Sequence, residues 1–441
     1  MLGSKRRRAW LGAVLAAIAV TAGCAGGGQP AGAAPVNGGT FTMAVSGDLS
    51  DIDPQRSPTQ WIQLVHYGNV SETLATLDPG GKLVPLLATE WSQTQPQVWR
   101  FKLRPGVKYQ NGETFDAAAV KYSLDRITSP DFGAEHVGFF ASYDRTEIID
   151  PTTVEIHTKV PDAEFPLHLT FAPMVPPAYT AAGPKDVLDK AAIGTGPYLM
   201  DSRTTDRVVL KKNPNYWGEI PATAPDQVVL LARPEDGARL SGLQAGEIDV
   251  ANLPPFLVKQ APRYQTAAPA QKLIVSLNAY AGVTANPKVR EAIVLATDNE
   301  GIRQALLGDD FSVPGLCQLG VDGISGFTAG LQNQRFDPDR ARQLIQEAGA
   351  QGATFRLATP AGRWPQDREA AELVVEQLNA VGLNAQLMTL DFQTYLKTIF
   401  APKATRVEAF LIGASFDSGS VAQPYGAYLT KSWSQNSVLI S

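Results

Sequence analysis

The sequence predicts a mixed α/β protein of several lobes, and three observations predict it. Strand-like alternation recurs: Trp99, Phe101 and Leu103 alternate with Arg100, Lys102 and Arg104, and Val154, Ile156 and Val160 alternate with Glu155, His157 and Lys159. That is the period-two pattern of a strand with one buried face. Helical spacing is interleaved with it. Ala341, Leu344, Ile345 and Ala348 share one face ahead of Gly349, and Ala371, Val374, Val375, Leu378 and Val381 share another ahead of Gly382, a stop signal for each helix. Stretches rich in Pro, Gly, Asp and Asn near 72–80, 184–193 and 270–288 then divide the chain. With 441 residues, 44% of them hydrophobic, two or three domains with large cores are expected.

From the start of the chain, Lys5-Arg-Arg-Arg8 precedes an apolar run from Ala9 to Val20, and Thr21-Ala-Gly-Cys24 follows. A cationic stretch, a short apolar stretch and small residues before a cut form an export signal, and the apolar run is short for a membrane span. Ala22-Gly23-Cys24 resembles a lipobox, which implies that Cys24 is acylated and becomes the first mature residue; the alternative is an ordinary cleaved signal. Residues 25–38 are Gly- and Ala-rich, which predicts a flexible tether reaching about 20 Å. Loss of residues 1–23 removes four positive charges and no negative one from a net charge of −5, leaving −9. That acidity argues against nucleic acid as a partner. With Cys24 acylated, Cys317 has no internal disulfide partner and is expected to be a small buried hydrophobe.

Further elements announce their ends. Thr114 is the expected cap of the helix carrying Val120 and Leu124. Asn286-Pro287 and Asp337-Pro338 each read as a cap followed by proline in the first turn. Asn111-Gly112 reads as a hairpin turn, and Gly246-Glu-Ile-Asp249 as a helix stop entering a strand. Gly194-Thr-Gly196 is followed by Pro197 and a strand-like Tyr-Leu-Met rather than by a helix. It therefore reads as a bend between lobes, not a phosphate loop. Trp91 and Trp99 are expected in the core.

Four segments in order carry a resemblance. They are Leu83-Val-Pro-Leu-Leu-Ala-Thr-Glu-Trp91 with the run Trp99–Asp116 and Ala119–Arg126; Gly194-Thr-Gly-Pro-Tyr198 with Lys211-Lys-Asn-Pro-Asn-Tyr-Trp-Gly218; Arg239–Val250; and Leu277-Asn278 with Asn286–Ile302. From about residue 39 onward the chain resembles the peptide, nickel and oligopeptide branch of the substrate-binding proteins of ABC importers, solute-binding family 5. The resemblance implies a bilobal, periplasmic-binding-protein-like (type II, class C) α/β clamshell with an accessory lobe. Mapped here, lobe one takes 39–72 and 190–272, the accessory lobe 73–189 and lobe two 273–441. It implies a monomer at the extracytoplasmic face, lipid-anchored, that hands di- or oligopeptides to a permease driven by ATPase subunits, with no cofactor. Relatives continue beyond the segment matching Phe410–Asp417, so the chain reads either as a short variant or as a truncated one; if truncated, lobe two is expected to lack finishing helices and lobe one an edge strand.

In peptide-binding members an aspartate in a small-aromatic-Asp stretch holds the ligand ammonium, and Asp417 matches it within Phe410-Leu-Ile-Gly-Ala-Ser-Phe-Asp417. Dipeptide-binding members use an arginine before an aromatic residue for the carboxylate, and Arg363-Trp364 occupies that place. The chemistry fits: a zwitterion entering a closed cleft loses its water, so each charge needs a counter-charge. Arg363 can take a carboxylate through two parallel hydrogen bonds, while Phe416 and Trp364 offer apolar walls. The alternatives are that Asp417 only caps a turn and that Arg363 is a solvated loop residue. Competing classes are a nickel-chelate or haem importer subunit, a tethered sensor, and a hydrolase. The last is disfavoured because His66, His136, His157 and His168 are scattered, with no His-Glu-x-x-His or Gly-x-Ser-x-Gly motif.

Overall fold

The computed structural model describes residues 38–47, 49, 52–56, 60–183, 186–266, 271–315, 317–321, 324, 326–331, 335–360, 362–415 and 438–440. Strand β1 (Thr40–Val45) opens the first sheet, and the chain then leaves it. A hairpin, β2 (Ala75–Leu77) and β3 (Leu83–Pro85), leads into a second sheet of β4 (Ala88–Gln95), β5 (Val98–Leu103), β6 (Tyr143–Asp150) and β7 (Thr153–Thr158). The first sheet resumes with β8 (Tyr198–Arg203), β9 (Arg207–Lys212), β10 (Gln227–Ala232) and β11 (Val250–Ala251). The third is made of β12 (Gln271–Leu277), β13 (Thr354–Pro360), β14 (Asn384–Leu390), β15 (Ala409–Ser415) and β16 (Val438–Ile440).

The first sheet runs β11-β1-β10-β9-β8, the second β4-β5-β7-β6 and the third β14-β13-β15-β12-β16. In the third, β13 lies parallel to both β14 and β15, and β12 runs antiparallel to β15 and β16. Parallel strands need both faces covered, and β13 shows it. Phe355 and Leu357 join one cluster with the helices Pro287–Ala296, Pro338–Glu347 and Asp367–Ala380. Ala358 joins a second cluster with Tyr395 and Ile399 of the helix Phe392–Ile399. The second sheet has its own core around Phe101, Leu124, Phe140 and Phe165, against which Trp91 and Trp99 pack partly buried. The first sheet's core holds Val45, Val65, Val208 and Leu230.

Local chemistry explains most boundaries. Asn286 and Asp337 cap their helices through the amides of Lys288 and Arg340. Gly112 (φ 91°) closes the hairpin turn, donating its N–H to the carbonyl of Tyr109. Gly246, Gly349 and Gly382 all sit at positive φ just beyond helices, where a side chain would be strained. Three expectations are corrected. The cap of the helix Ala117–Thr128 is Asp116, not Thr114, because its carboxylate accepts from Ala118 and Ala119. Strand β7 ends at Thr158, and Val160 is 56% exposed beyond it. Cys317 is exposed rather than buried. Its neighbours Gln318 and Leu319 turn inward instead, with the Gln318 amide satisfying both N–H and C=O of Thr328.

Buried polar groups join the first and second sheets. Glu72 accepts hydrogen bonds from Thr195 Oγ1, Tyr216 Oη and Trp217 Nε1, each 2.8 Å. Burial raises its carboxyl pKa against those three bonds. Cβ atoms at Gly194 and Gly196 would run into the backbone of Asn69–Ser71; Gly-Thr-Gly is therefore a close backbone crossing that also delivers Thr195 to Glu72. Nearby, fully buried Asp53 pairs with Arg126 at 2.5 Å, and that guanidinium lies 3.9 Å over the Phe132 ring. His66 is fully buried, with Nε2 donating to the Ile52 carbonyl at 2.6 Å and Nδ1 accepting from Ser71 Oγ at 2.9 Å. Burial pulls its pKa down to about 4.

Candidate functional site

The third sheet's connections mark a candidate ligand site. From β13 the chain passes through the helix Asp367–Ala380 to β14 on one side, then through the helix Phe392–Ile399 to β15 on the other. The direction of winding reverses between β13 and β15, and open α/β sheets bind ligands at the carboxyl ends of the strands flanking such a reversal. Here those ends are Pro360 and Ser415, with Leu390 beside them.

Arg363 and Trp364 stand on the loop that follows β13. The loop's shape is set by Asp367, which is 1% exposed. One of its oxygens accepts from the backbone N–H of Arg363 and Trp364 at 2.8 and 2.9 Å, the other from Gly362 and Arg368 at 3.2 and 2.8 Å. Gln366 is held at φ 58°, a conformation that costs a non-glycine residue on the order of 1 kcal/mol and persists only where its surroundings impose it. Trp364 is half-buried and meets Tyr395 edge-on, ring centroids 6.4 Å apart. Tyr395 is itself anchored by donating to the Leu411 carbonyl at 2.6 Å. The indole nitrogen lies over Gly413 of β15, where a Cβ would collide with it and with the Gln271 amide.

Arg363 itself is exposed. Its guanidinium carbon is 5.5 Å from the Phe392 ring centroid and 5.9 Å from that of Trp364, inside the range of cation–π attraction. Among the described residues no carboxylate pairs with it. A guanidinium resting on two aromatic rings and lacking an acidic partner is suited to a carboxylate brought by a ligand. The loop thus brings Arg363 and Trp364 together; Phe416, Asp417 and Cys24 lie outside the described residues.

Sequence reasoning missed Phe392, Asp367 and Lys272. Asp391 caps the helix that presents Phe392, through the Thr394 amide, and an aromatic after an aspartate at a helix start was a readable signal. Asp367, opening an amphipathic run, was another. Lys272 had none: it pairs in register with Ala414, its Nζ donates to the Gln318 carbonyl at 2.6 Å, and burial lowers its pKa to about 8.

Two five-stranded sheets, an inserted four-stranded sheet between them in the chain, and a switch-point loop whose arginine rests on its own tryptophan and on Phe392 of a neighbouring helix define the class: a bilobal α/β clamshell binding protein with an accessory lobe. Residues 82–436 match the model of the bacterial extracellular solute-binding proteins, family 5 (middle region), and the chain belongs to that family. It is a substrate-binding protein of an ABC importer, extracytoplasmic, with a small-solute ligand and permease partners. Among the described residues no helix is long and apolar enough to cross a membrane. The chain is 29% identical over 362 residues to the glutathione-binding protein GsiB of Salmonella paratyphi A, covering 79% of this chain and 69% of that one. Its fold is similar to DppA of Helicobacter pylori in complex with the peptide STSA, with TM-score 0.71, 23% identity, and coverage of 86% and 78%. It is also similar to NikZ of Campylobacter jejuni in complex with Ni(L-His), with TM-score 0.74, 20% identity, and coverage of 90% and 81%.

Proposed function

We propose that this chain captures short peptides at the extracytoplasmic face of the cell membrane and passes them to its permease. Arg363 binds the peptide carboxylate, Asp417 the ammonium, and Trp364 and Phe416 wall the intervening side chains. Acylated Cys24 anchors the monomer to the membrane, and residues 25–38 tether it. Lobe one comprises 39–72 and 190–272, the accessory lobe 73–189 and lobe two 273–441, and the two main lobes close on the ligand like a hinge.

The observation that carries the reading is the Arg363 guanidinium, without an acidic partner among the described residues, on its Trp364–Phe392 platform at the carboxyl edge of β13. Relatives that hold glutathione and a tetrapeptide support the ligand class. A second reading, a metal–amino-acid chelate, is supported by the likeness to NikZ with Ni(L-His), because that ligand also presents a carboxylate.

Calorimetry separates them. The full chain is titrated with di- to pentapeptides, the same peptides amidated at the C-terminus, and Ni(L-His). Binding of free-acid peptides, lost on amidation and in Arg363→Ala, is the expected result. Heat from Ni(L-His) alone selects the second reading. Folded protein that binds none of these ligands, or peptides bound equally well after amidation, overturns the assignment of Arg363.

A further inference from the structure

The solvent face of the second sheet carries a cluster that ligand capture does not use. Glu155 and His157 are two residues apart on β7, so their side chains leave the same face. The register sets Glu147 of β6 directly opposite Glu155. One ligating atom from each of the three lies within 4.8 Å of the others.

His157 Nε2 is 3.3 Å from Glu147 Oε2, yet it is buried and makes no hydrogen bond. The two atoms are close without being aimed at each other. Around a tetrahedral ion with bonds of about 2.05 Å, neighbouring ligand atoms stand about 3.3 Å apart. Arg100 of β5 grips Glu155 through Oε1 alone, with Nε at 2.9 Å and Nη2 at 2.6 Å, which fixes that carboxylate and leaves Oε2 to the cluster. Directly opposed carboxylates repel across a strand pair, and Arg100 compensates one of them. Arg145, opposite His157 in the register, is engaged by Asp144 at 2.8 Å. The face therefore offers one imidazole nitrogen and two carboxylates with an unfilled demand for positive charge.

We propose that Glu147, Glu155 and His157 form a site for a divalent transition-metal ion of the zinc class, apart from the peptide cleft. Nitrogen with carboxylate donors selects such ions over calcium and magnesium, which take oxygen ligands throughout. Three protein ligands leave a fourth position to water. Binding requires neutral imidazole and two ionised carboxylates, and the bound ion cross-links β6 to β7.

The full chain, stripped with a chelator and free of peptide, is titrated with zinc chloride by calorimetry, alongside His157→Ala, Glu147→Gln and Arg363→Ala. One equivalent binds, His157→Ala and Glu147→Gln each weaken it by more than roughly tenfold, and Arg363→Ala leaves it unchanged. Zinc also raises the thermal midpoint of the parent chain, because it binds the folded state, and does so less in the two cluster variants. Unchanged urea midpoints without zinc show that the variants fold. No saturable heat from the parent, wild-type affinity in His157→Ala, or loss of zinc binding in Arg363→Ala overturns the proposal.

Discussion

The joint between the first and second sheets and the carboxyl edge of the third use charge in opposite ways. At the joint, Asp53 and Glu72 are buried and answered from far along the chain, by Arg126, Thr195, Tyr216 and Trp217. At the edge, Arg363 is exposed and rests on aromatic rings without an acidic answer from the described residues. The backbone beneath it is nonetheless fixed, by four amides converging on Asp367. The joint is saturated with internal partners, whereas the edge is ordered from below and left incomplete above. Substitutions at the first should alter stability, and at the second affinity.

The sharpest attempt to break that contrast is Arg126→Ala, which leaves the carboxylate of Asp53 buried without its guanidinium. The urea midpoint should reflect a loss of about 3–5 kcal/mol, with any residual folded protein binding peptide normally. A loss under about 1 kcal/mol would mean that the joint is not held by its charges.

The next effect is about 3 kcal/mol and depends on pH. The folded pKa of His66 lies near 4, below its usual 6.5. Between those values the unfolded chain binds the extra proton, so this contribution is complete above pH 6.5 and disappears as pH falls to about 4. Glu72, whose carboxyl pKa is raised, acts with the opposite sign, losing its contribution as pH rises above its unfolded value. The comparison is therefore parent against His66→Gln: the variant should lose less stability between pH 6.5 and 4. Parallel curves would remove His66 from the account.

Asp367→Ala stands between the two regions. Stripping four amides of their acceptor should lower stability by about 1–3 kcal/mol and peptide affinity as well, and Asp367→Asn should recover part of both. Chemical denaturation and calorimetry on the same samples decide it; normal affinity in Asp367→Ala would show that the loop holds its shape unaided. Smallest in stability is Arg363→Ala, expected within about 0.5 kcal/mol of the parent while peptide binding weakens by about 2–5 kcal/mol. Loss of stability with affinity retained would reverse the contrast.

Local signals made much of the fold legible. The alternation around Phe101, the caps Asn286 and Asp337 and the stop at Gly382 act over a few residues, and each is where the chain announces it. Thr114 misled because Asp116, two residues on, places its carboxylate on the helix amides instead. Cys317 misled because its exposure depends on Gln318 finding Thr328, ten residues away. Glu72 could not be read at all, since its partners lie 123 to 145 residues later. At the edge, the Arg363-Trp364 dipeptide was visible; its Phe392 platform arises only when the connection after β14 folds back beside the loop.

Gly413 has a use of its own. Because β15 carries only hydrogen there, the Trp364 indole can lie down across it. One added methyl group would lift that ring and re-tilt the wall proposed for the guest, without touching a charge. For anyone adapting this scaffold as a reagentless biosensor, position 413 is a tuning screw, and the tryptophan it moves would report the adjustment by its own fluorescence.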